Sequence, residues 1–272
     1  MSIWPQLLVR MAEVARTCAC DAGLAGHTGG RNAKGDAVRA FDAAAHERLL
    51  SLLHDQLAKA GEAAELLSEE GAPVQVGRGD VRWRVVMDPV DGSDNAGRGL
   101  PLSAFACAVL PAGAALDPAR VEAAIVAPVE TGRPWLLADG HVEPAIAPSR
   151  VTTVSDALLS VELNHLVVPR PLAALMGLAR GVRSYGCCSR ALMLVATGAL
   201  DAHIDMRGRL TPESWLAPAA ILRAAGGALA VIDEKLDPAA PPADLSVRTG
   251  ILAAATPALL SALRARLGEK GS

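Results

Sequence analysis

Apolar residues recur at helical spacing from the start of the chain. Ile3, Leu7, Met11, Val14 and Cys18 fall on one face, which predicts an amphipathic helix over residues 2–20. A Gly-rich polar loop follows from Gly23 to Gly35, and Leu49, Leu50, Leu53 and Leu57 mark a second helix over Ala43–Lys59. Short apolar runs then replace the helical period. Leu66-Leu67 ends in Ser68-Glu69-Glu70-Gly71, and strands are predicted over Val81–Met87, Leu102–Leu110 and Ala123–Val129. The last of these turns at Glu130-Thr131-Gly132 into Pro134–Leu137. Residues 144–148 are bracketed by prolines and thin in core residues, so a domain boundary is placed there, giving units of 1–145 and 146–272. Beyond it the pattern alternates: strand Ser160–Val168, helix Leu172–Ala179, helix Ser189–Gly198, helix Trp215–Ala225, strand Ala228–Ile232, strand Gly250–Ala255 and helix Pro257–Leu267. A turn at Asp233–Leu236 and a Pro-rich loop at Pro238–Pro242 precede the final strand. No internal repeat appears.

Composition narrows the class. The 272 residues suffice for a sizeable core, and a net charge of −3 gives no basis for nucleic-acid or membrane binding. The five cysteines, Cys18, Cys20, Cys107, Cys187 and Cys188, are odd in number and lack C-x-x-C spacing, so neither a disulfide framework nor a zinc site is indicated. A reducing cytoplasm is the compartment that fits. Arg10, Glu13 and Arg16 interrupt any signal-peptide run, and no apolar stretch of about 18 residues predicts a membrane span.

Chemistry concentrates in Met87–Leu100, which reads M-D-P-V-D-G-S-D-N-A-G-R-G-L. An apolar strand delivers Asp88 and Asp91, with Pro89 biasing Asp88 toward an extended conformation. Gly92 permits a tight turn, and Ser93 or Asp94 suits a helix cap. Two hard oxygen ligands at this spacing suit Mg²⁺, and the N–H groups of Gly92 and Ser93 would present an anion site beside it. Metal and anion together point to phosphate-ester chemistry. D-P-x-D-G taken alone is also an ordinary turn.

The longer string, Asp88-Pro89-Val90-Asp91-Gly92-Ser93 with Asn95 and Gly99-Leu100-Pro101, resembles the signature of the inositol monophosphatase-like family of metal-dependent phosphatases. The tail is most similar to its archaeal-type branch, which handles inositol monophosphate and fructose-1,6-bisphosphate. The resemblance runs through the chain in family order. It implies a layered α-β-α-β-α sandwich, with an α+β first half carrying the metal site and an α/β second half covering the substrate. It implies Mg²⁺ held by Glu69, Asp88, the Val90 carbonyl and Asp91, with Glu70 assisting. Asp36 and Asp42 match two aspartates of the family, and Asp42 with Ser93 would orient the attacking water; Asp42 would serve equally as a helix N-cap. Arg31 and Lys34 share that loop and could reach a substrate phosphate, though loop cations are usually just solvated. Gly186, Cys187 and Cys188 match a segment that lines the substrate pocket, and Asp205 a position that contacts substrate hydroxyls, with Arg207 or Arg209 on a phosphate. Cys187 as a nucleophile is the sharper alternative, but no histidine lies near it in sequence. Homodimers are common in the family.

One position departs from the pattern. Counting back from Gly226-Gly227, and forward from Asp205, the family's last metal-ligand aspartate falls on Ser214. Glu213 is the nearest carboxylate and the expected substitute ligand. A single well-held ion, with a second recruited by substrate, is another outcome, and binding without hydrolysis a third. The expected activity is Mg²⁺-dependent hydrolysis of a small phosphorylated polyol, sugar or nucleoside. A sugar-phosphate-binding protein without hydrolytic activity and a 3'(2'),5'-bisphosphate nucleotidase are the alternatives.

Overall fold

Helix α1 (Trp4–Ala19) turns Trp4, Leu7, Leu8, Met11, Ala15 and Cys18 inward, a wider stripe than the five-residue pattern predicts. The computed structural model describes residues 2–24, 26–31, 37–232 and 241–268; Lys34, Asp36, the Arg31 side chain, the Asp233–Leu236 turn and Pro238–Ala240 lie outside them. Where a loop was expected, β1 (His27–Arg31) pairs antiparallel with β2 (Ala37–Arg39). Helix α2 (Ala40–Ala60) starts three residues earlier than the pattern indicates. Its N-cap residue is Arg39, which makes no side-chain cap, so Asp42 sits inside the first turn and is not the cap. An acid there still faces the positive end of the helix dipole. Leu49, Leu53 and Leu57 are fully buried along α2, each worth about 2 kcal/mol.

The strands of the first half form one sheet. They are β3 (Ala63–Ser68), β4 (Gly71–Gly77), β5 (Val81–Asp91), β6 (Ala104–Pro111), β7 (Ala123–Pro128), β8 (Trp135–Ala138) and β9 (His141–Glu143), in the order β4-β3-β5-β6-β7-β8-β9. The β3–β5 pair is parallel and the others are antiparallel. Alternation sorts β6 cleanly. Phe105, Cys107 and Val109 face α1 and α2, while Ala104, Ala106, Ala108 and Leu110 face the opposite layer. The alanines leave room there for a helix to approach closely. Between β5 and β6 runs the short α3 (Ser93–Gly97), whose N-cap is Gly92 and neither Ser93 nor Asp94.

The second half comprises β10 (Leu158–Val161), α4 (Arg170–Leu178), β11 (Gly181–Arg183), α5 (Cys188–Ala196), β12 (Ala202–Leu210), α6 (Pro212–Ala224), β13 (Ala228–Ile232), β14 (Thr249–Ala254) and α7 (Pro257–Leu267). Its five strands order as β11-β10-β12-β14-β13, with β10 parallel to both neighbours. The strand expected over Ser160–Val168 stops at Val161, and His165 adopts a positive φ of 59° in the loop beyond. Helices α4 and α7 cover one face of this sheet, and α5 and α6 fill the space between the two sheets. The layers are therefore α-β-α-β-α, as expected. Strands divide between the sheets across residues 144–157, yet the core built around α5 and α6 draws on both halves.

Helix α6 is buried continuously from Pro212 to Leu222 and carries Pro218 in its interior. Pro218 has no N–H for the Ser214 carbonyl one turn earlier. The hydroxyl of Ser189, on α5, donates to that carbonyl at 2.9 Å instead. Among the described residues no helix is long and apolar enough to cross a membrane.

Candidate active site

The pairing of β5 with β6 slips between Asp88, opposite Ala106, and Asp91, opposite Ala104. Residues three apart on a regular strand point to opposite faces; one extra residue in a bulge restores a common face. Ala104 and Ala106 both face the middle layer, so Asp88 and Asp91 do too. Pro89 sits inside the bulge, where it disrupts least. Gly92 follows with φ 81°, and a Cβ there would lie 2.9 Å from Cys187 Cβ and 3.1 Å from the Leu102 carbonyl, so glycine is required. The Ser93 hydroxyl donates to the Val90 carbonyl at 2.9 Å.

These groups line a cleft of about 550 Å³. Asp42, Glu69, Glu70, Asp88 and Asp91 supply carboxylates, alongside Val90, Gly92, Ser93 and Gly186. Arg39, Arg207, Arg209 and Arg248 contribute positive charge to the same lining, with His27 and His165. Arg39 is fixed by Asp94 at 2.7 Å. Asp42 is buried, and its carboxyl is pushed up to about 8, by burial first and then by the charges of Glu70 and Glu69 against the opposing pull of the Ser93 hydroxyl and Arg39. Its Oδ1 is buried without a hydrogen-bond partner.

Four expected site residues are not brought to the cleft wall. Asp205 is fully buried, and it accepts from Arg207 Nη2 at 2.6 Å, Arg207 Nε at 3.0 Å and Arg207 N at 2.9 Å. It therefore presents Arg207 to the cleft and does not itself face substrate. Cys187 is the N-cap of α5: its sulfur accepts from Arg190 N at 3.4 Å and donates to Asp91 Oδ2 at 3.3 Å. Burial, then the Asp91 charge, pushes its thiol well above the usual range, which favours the neutral thiol over a nucleophilic thiolate. Cys188 is buried in the middle layer. Glu213, the expected substitute ligand, accepts from the Thr211 hydroxyl and lines a neighbouring cavity of about 460 Å³ that also reaches Glu69. Ser214 does line the cleft, and its hydroxyl donates to Asp88 Oδ2 at 3.3 Å.

Several lining residues escaped sequence reasoning. Asn164 and His165, not singled out in the sequence, follow β10, whereas Arg207 and Arg209, the expected phosphate contacts, lie toward the end of β12 and line the cleft. Carboxyl ends of parallel strands are where such clefts form, but that signal needs the strand order. Arg248 enters from the segment before β14 and has no motif around it. Arg39 precedes Asp42 by three residues, a local clue in Ala37-Val38-Arg39-Ala40-Phe41-Asp42.

The donor set is hard oxygen, which suits Mg²⁺. Repulsion at Asp42 and its orphaned Oδ1 mark a floor with more carboxylate than nearby cation neutralises. Among the described residues, no three His, Cys, Asp or Glu side chains close into a ready-made cage.

A sequence profile of the inositol monophosphatase family matches residues 6–270. The chain is 31% identical over 234 residues to an inositol-1-monophosphatase of Mycobacterium leprae, covering 79% of this chain and 74% of that protein. Its fold superposes on the extragenic suppressor protein SuhB of Bartonella henselae with a TM-score of 0.76 at 20% identity, over the whole of both chains. An inositol monophosphatase of Anabaena gives 0.73 at 19% identity, covering 98% of this chain and 96% of that one.

Proposed function

The chain belongs to the inositol monophosphatase family, and from that premise we propose that it is a Mg²⁺-dependent phosphomonoesterase acting on a small phosphorylated polyol, sugar or nucleoside, inositol monophosphate foremost. The observation that carries the reading is the convergence of six carboxylates, Ser93 and four arginines on one cleft. A phosphate monoester needs cations around its oxygens and a base for water, and little covalent chemistry.

Glu69, Asp88 and the Val90 carbonyl are the groups that would hold Mg²⁺, the carbonyl having a second lone pair beside the one Ser93 uses. When bound, the ion supplies positive charge against the phosphate and acidifies water. Asp42 is the base, placed in the cleft with Ser93; burial and the neighbouring carboxylates push its carboxyl up to about 8, and a bound cation would have to offset that rise for it to accept a proton near neutrality. Ser93, beside it, orients the water. Arg207, held in place by Asp205, and Arg209 meet the substrate's anionic or hydroxyl groups. Gly186 keeps the wall open to the polyol: its φ is 67°, and a Cβ there would approach Asn95 and Asn164.

Ser214 favours one rival, a binding protein without turnover. Phosphate release from inositol, sugar and nucleotide phosphates, with and without Mg²⁺, separates them. Mg²⁺-dependent release that Asp88→Asn abolishes supports the proposal; tight binding with no release under any condition sinks it.

A further inference from the structure

We infer a second site, remote from the carboxylate cleft, that takes a small methylated amino alcohol: a quaternary ammonium group seated against two tryptophans, with a hydroxyl beside it. A cavity of about 170 Å³ lies where α1 meets the first sheet. Trp4, which opens α1, and Trp83, on β5, both line it, and their rings stand 5.7 Å apart at 80°. Two ring planes at that angle form a corner, and indole faces attract cations, quaternary ammonium groups among them. Glu62, Glu122 and Asp139 line the same cavity, with no lysine, arginine or histidine among the described lining residues. None of the three carboxylates has an ion-pair partner among the described residues.

Glu62 precedes β3, Glu122 precedes β7 and Asp139 follows β8, so only the strand order of the sheet brings them together. Glu62 Oε2 accepts from Trp83 Nε1 at 2.6 Å, which fixes that carboxylate against the ring. Ile3 offers an apolar wall to the methyl groups. Trp4 is 2% exposed, and its indole N–H is buried without an acceptor. Buried donors are rarely left so. A ligand hydroxyl next to the ammonium group supplies the missing acceptor, whereas a ligand carboxylate would be repelled by the acidic lining. The volume lies under the roughly 300–1,000 Å³ of pockets for drug-sized molecules, so a small head group fits and a nucleotide does not. Trp83 packs on the α1 side of the sheet, while Asp88, at odd spacing on the same strand, faces the middle layer about 17 Å along it. The two sites are therefore separate.

The test is heteronuclear NMR of the intact chain titrated with choline chloride, read at the indole N–H resonances of its four tryptophans, assigned by Trp→Phe substitution. Saturable shifts at Trp4 and Trp83 are expected, with Trp135 and Trp215, which pack in the middle layer, unmoved. Tetramethylammonium, lacking the hydroxyl, should bind up to about tenfold more weakly. The uncharged isostere of choline, with carbon in place of nitrogen, should not bind. Glu122 and Asp139 are exposed, so Glu122→Gln with Asp139→Asn should fold as wild type and weaken choline about tenfold. No saturable shift at Trp4 and Trp83, equal shifts at all four tryptophans, or equal binding of the uncharged isostere overturns the inference. An unaltered choline affinity in the double variant does so as well, and tetramethylammonium as tight as choline overturns the amino-alcohol assignment.

Discussion

The side-chain amide of Asn95 donates to the carbonyls of Leu102, at 2.9 Å, and of Tyr185, at 2.7 Å. It ties the turn that carries Ser93 to the loop that enters α5, across the two halves of the cleft. Asn95→Ala leaves two partly buried carbonyls without their donor, at a cost of about 1–3 kcal/mol. KM is expected to rise about tenfold with a smaller fall in kcat, because the substrate wall shifts more than the carboxylate floor. Steady-state kinetics check this; an unchanged KM in a folded Asn95→Ala protein refutes the role.

Asp42 couples stability to pH. Folded, it keeps its proton up to about pH 8; unfolded, it loses it in the ordinary carboxylate range. Its contribution is fully present below the unfolded pKa and is lost as pH rises through about 8. With divalent ions chelated, Asp42→Asn should melt about 3 °C or more above wild type near pH 9. The same variant should lose activity by about 100-fold or more. Equal melting points at high pH would count against the buried charge.

His203 titrates in the opposite sense. It is buried on β12 with its Nδ1 3.1 Å from the Ser160 hydroxyl, and burial lowers its pKa to about 4. The unfolded chain binds a proton at higher pH than the folded chain does. Stability is therefore intact above about pH 6.5 and falls as pH drops toward 4, by up to about 3 kcal/mol. His203→Gln should flatten that acid limb. Denaturant titrations at several pH values would reveal it, and parallel slopes for both proteins would rule it out.

Ser189 and Pro218 should be energetically coupled. Ser189→Ala alone removes the hydroxyl that donates to the Ser214 carbonyl in the core, at about 1–3 kcal/mol. In a Pro218→Ala background the helix can supply an N–H to that carbonyl, so the same change should cost about 1 kcal/mol less. A double-mutant cycle by urea unfolding measures the term; additivity would mean the carbonyl is satisfied in another way.

Local patterns carried much of this. The stripes of α1 and α2 and the carboxylates of Glu69-Glu70 and Asp88-Pro89-Val90-Asp91 were all visible in the sequence. What was hidden depends on partners. The shared face of Asp88 and Asp91 requires the β6 register, since odd spacing by itself predicts opposite faces. Asp205 read as a substrate contact because nothing in Asp205-Met206-Arg207 says that the arginine folds back on it. The apolar run Leu163–Val168 looked like strand, yet Val167 is 92% exposed there: apolar residues are not confined to cores. Glu213 lies next to Ser214 in sequence, but adjacent residues on a helix diverge by roughly 100°, and that rotation sends its carboxylate into the other cavity.

Because α6 is wrapped by both sheets, the chain has no seam along which it can be divided. Cut near residue 145, the first half would present Ala104, Ala106, Ala108, Leu110 and Val126 to water as a bare apolar wall. The excised piece should aggregate even though its carboxylates are all present. Denaturation should proceed as one event, and whatever occupies the cleft should protect amides in both sheets alike from exchange with solvent.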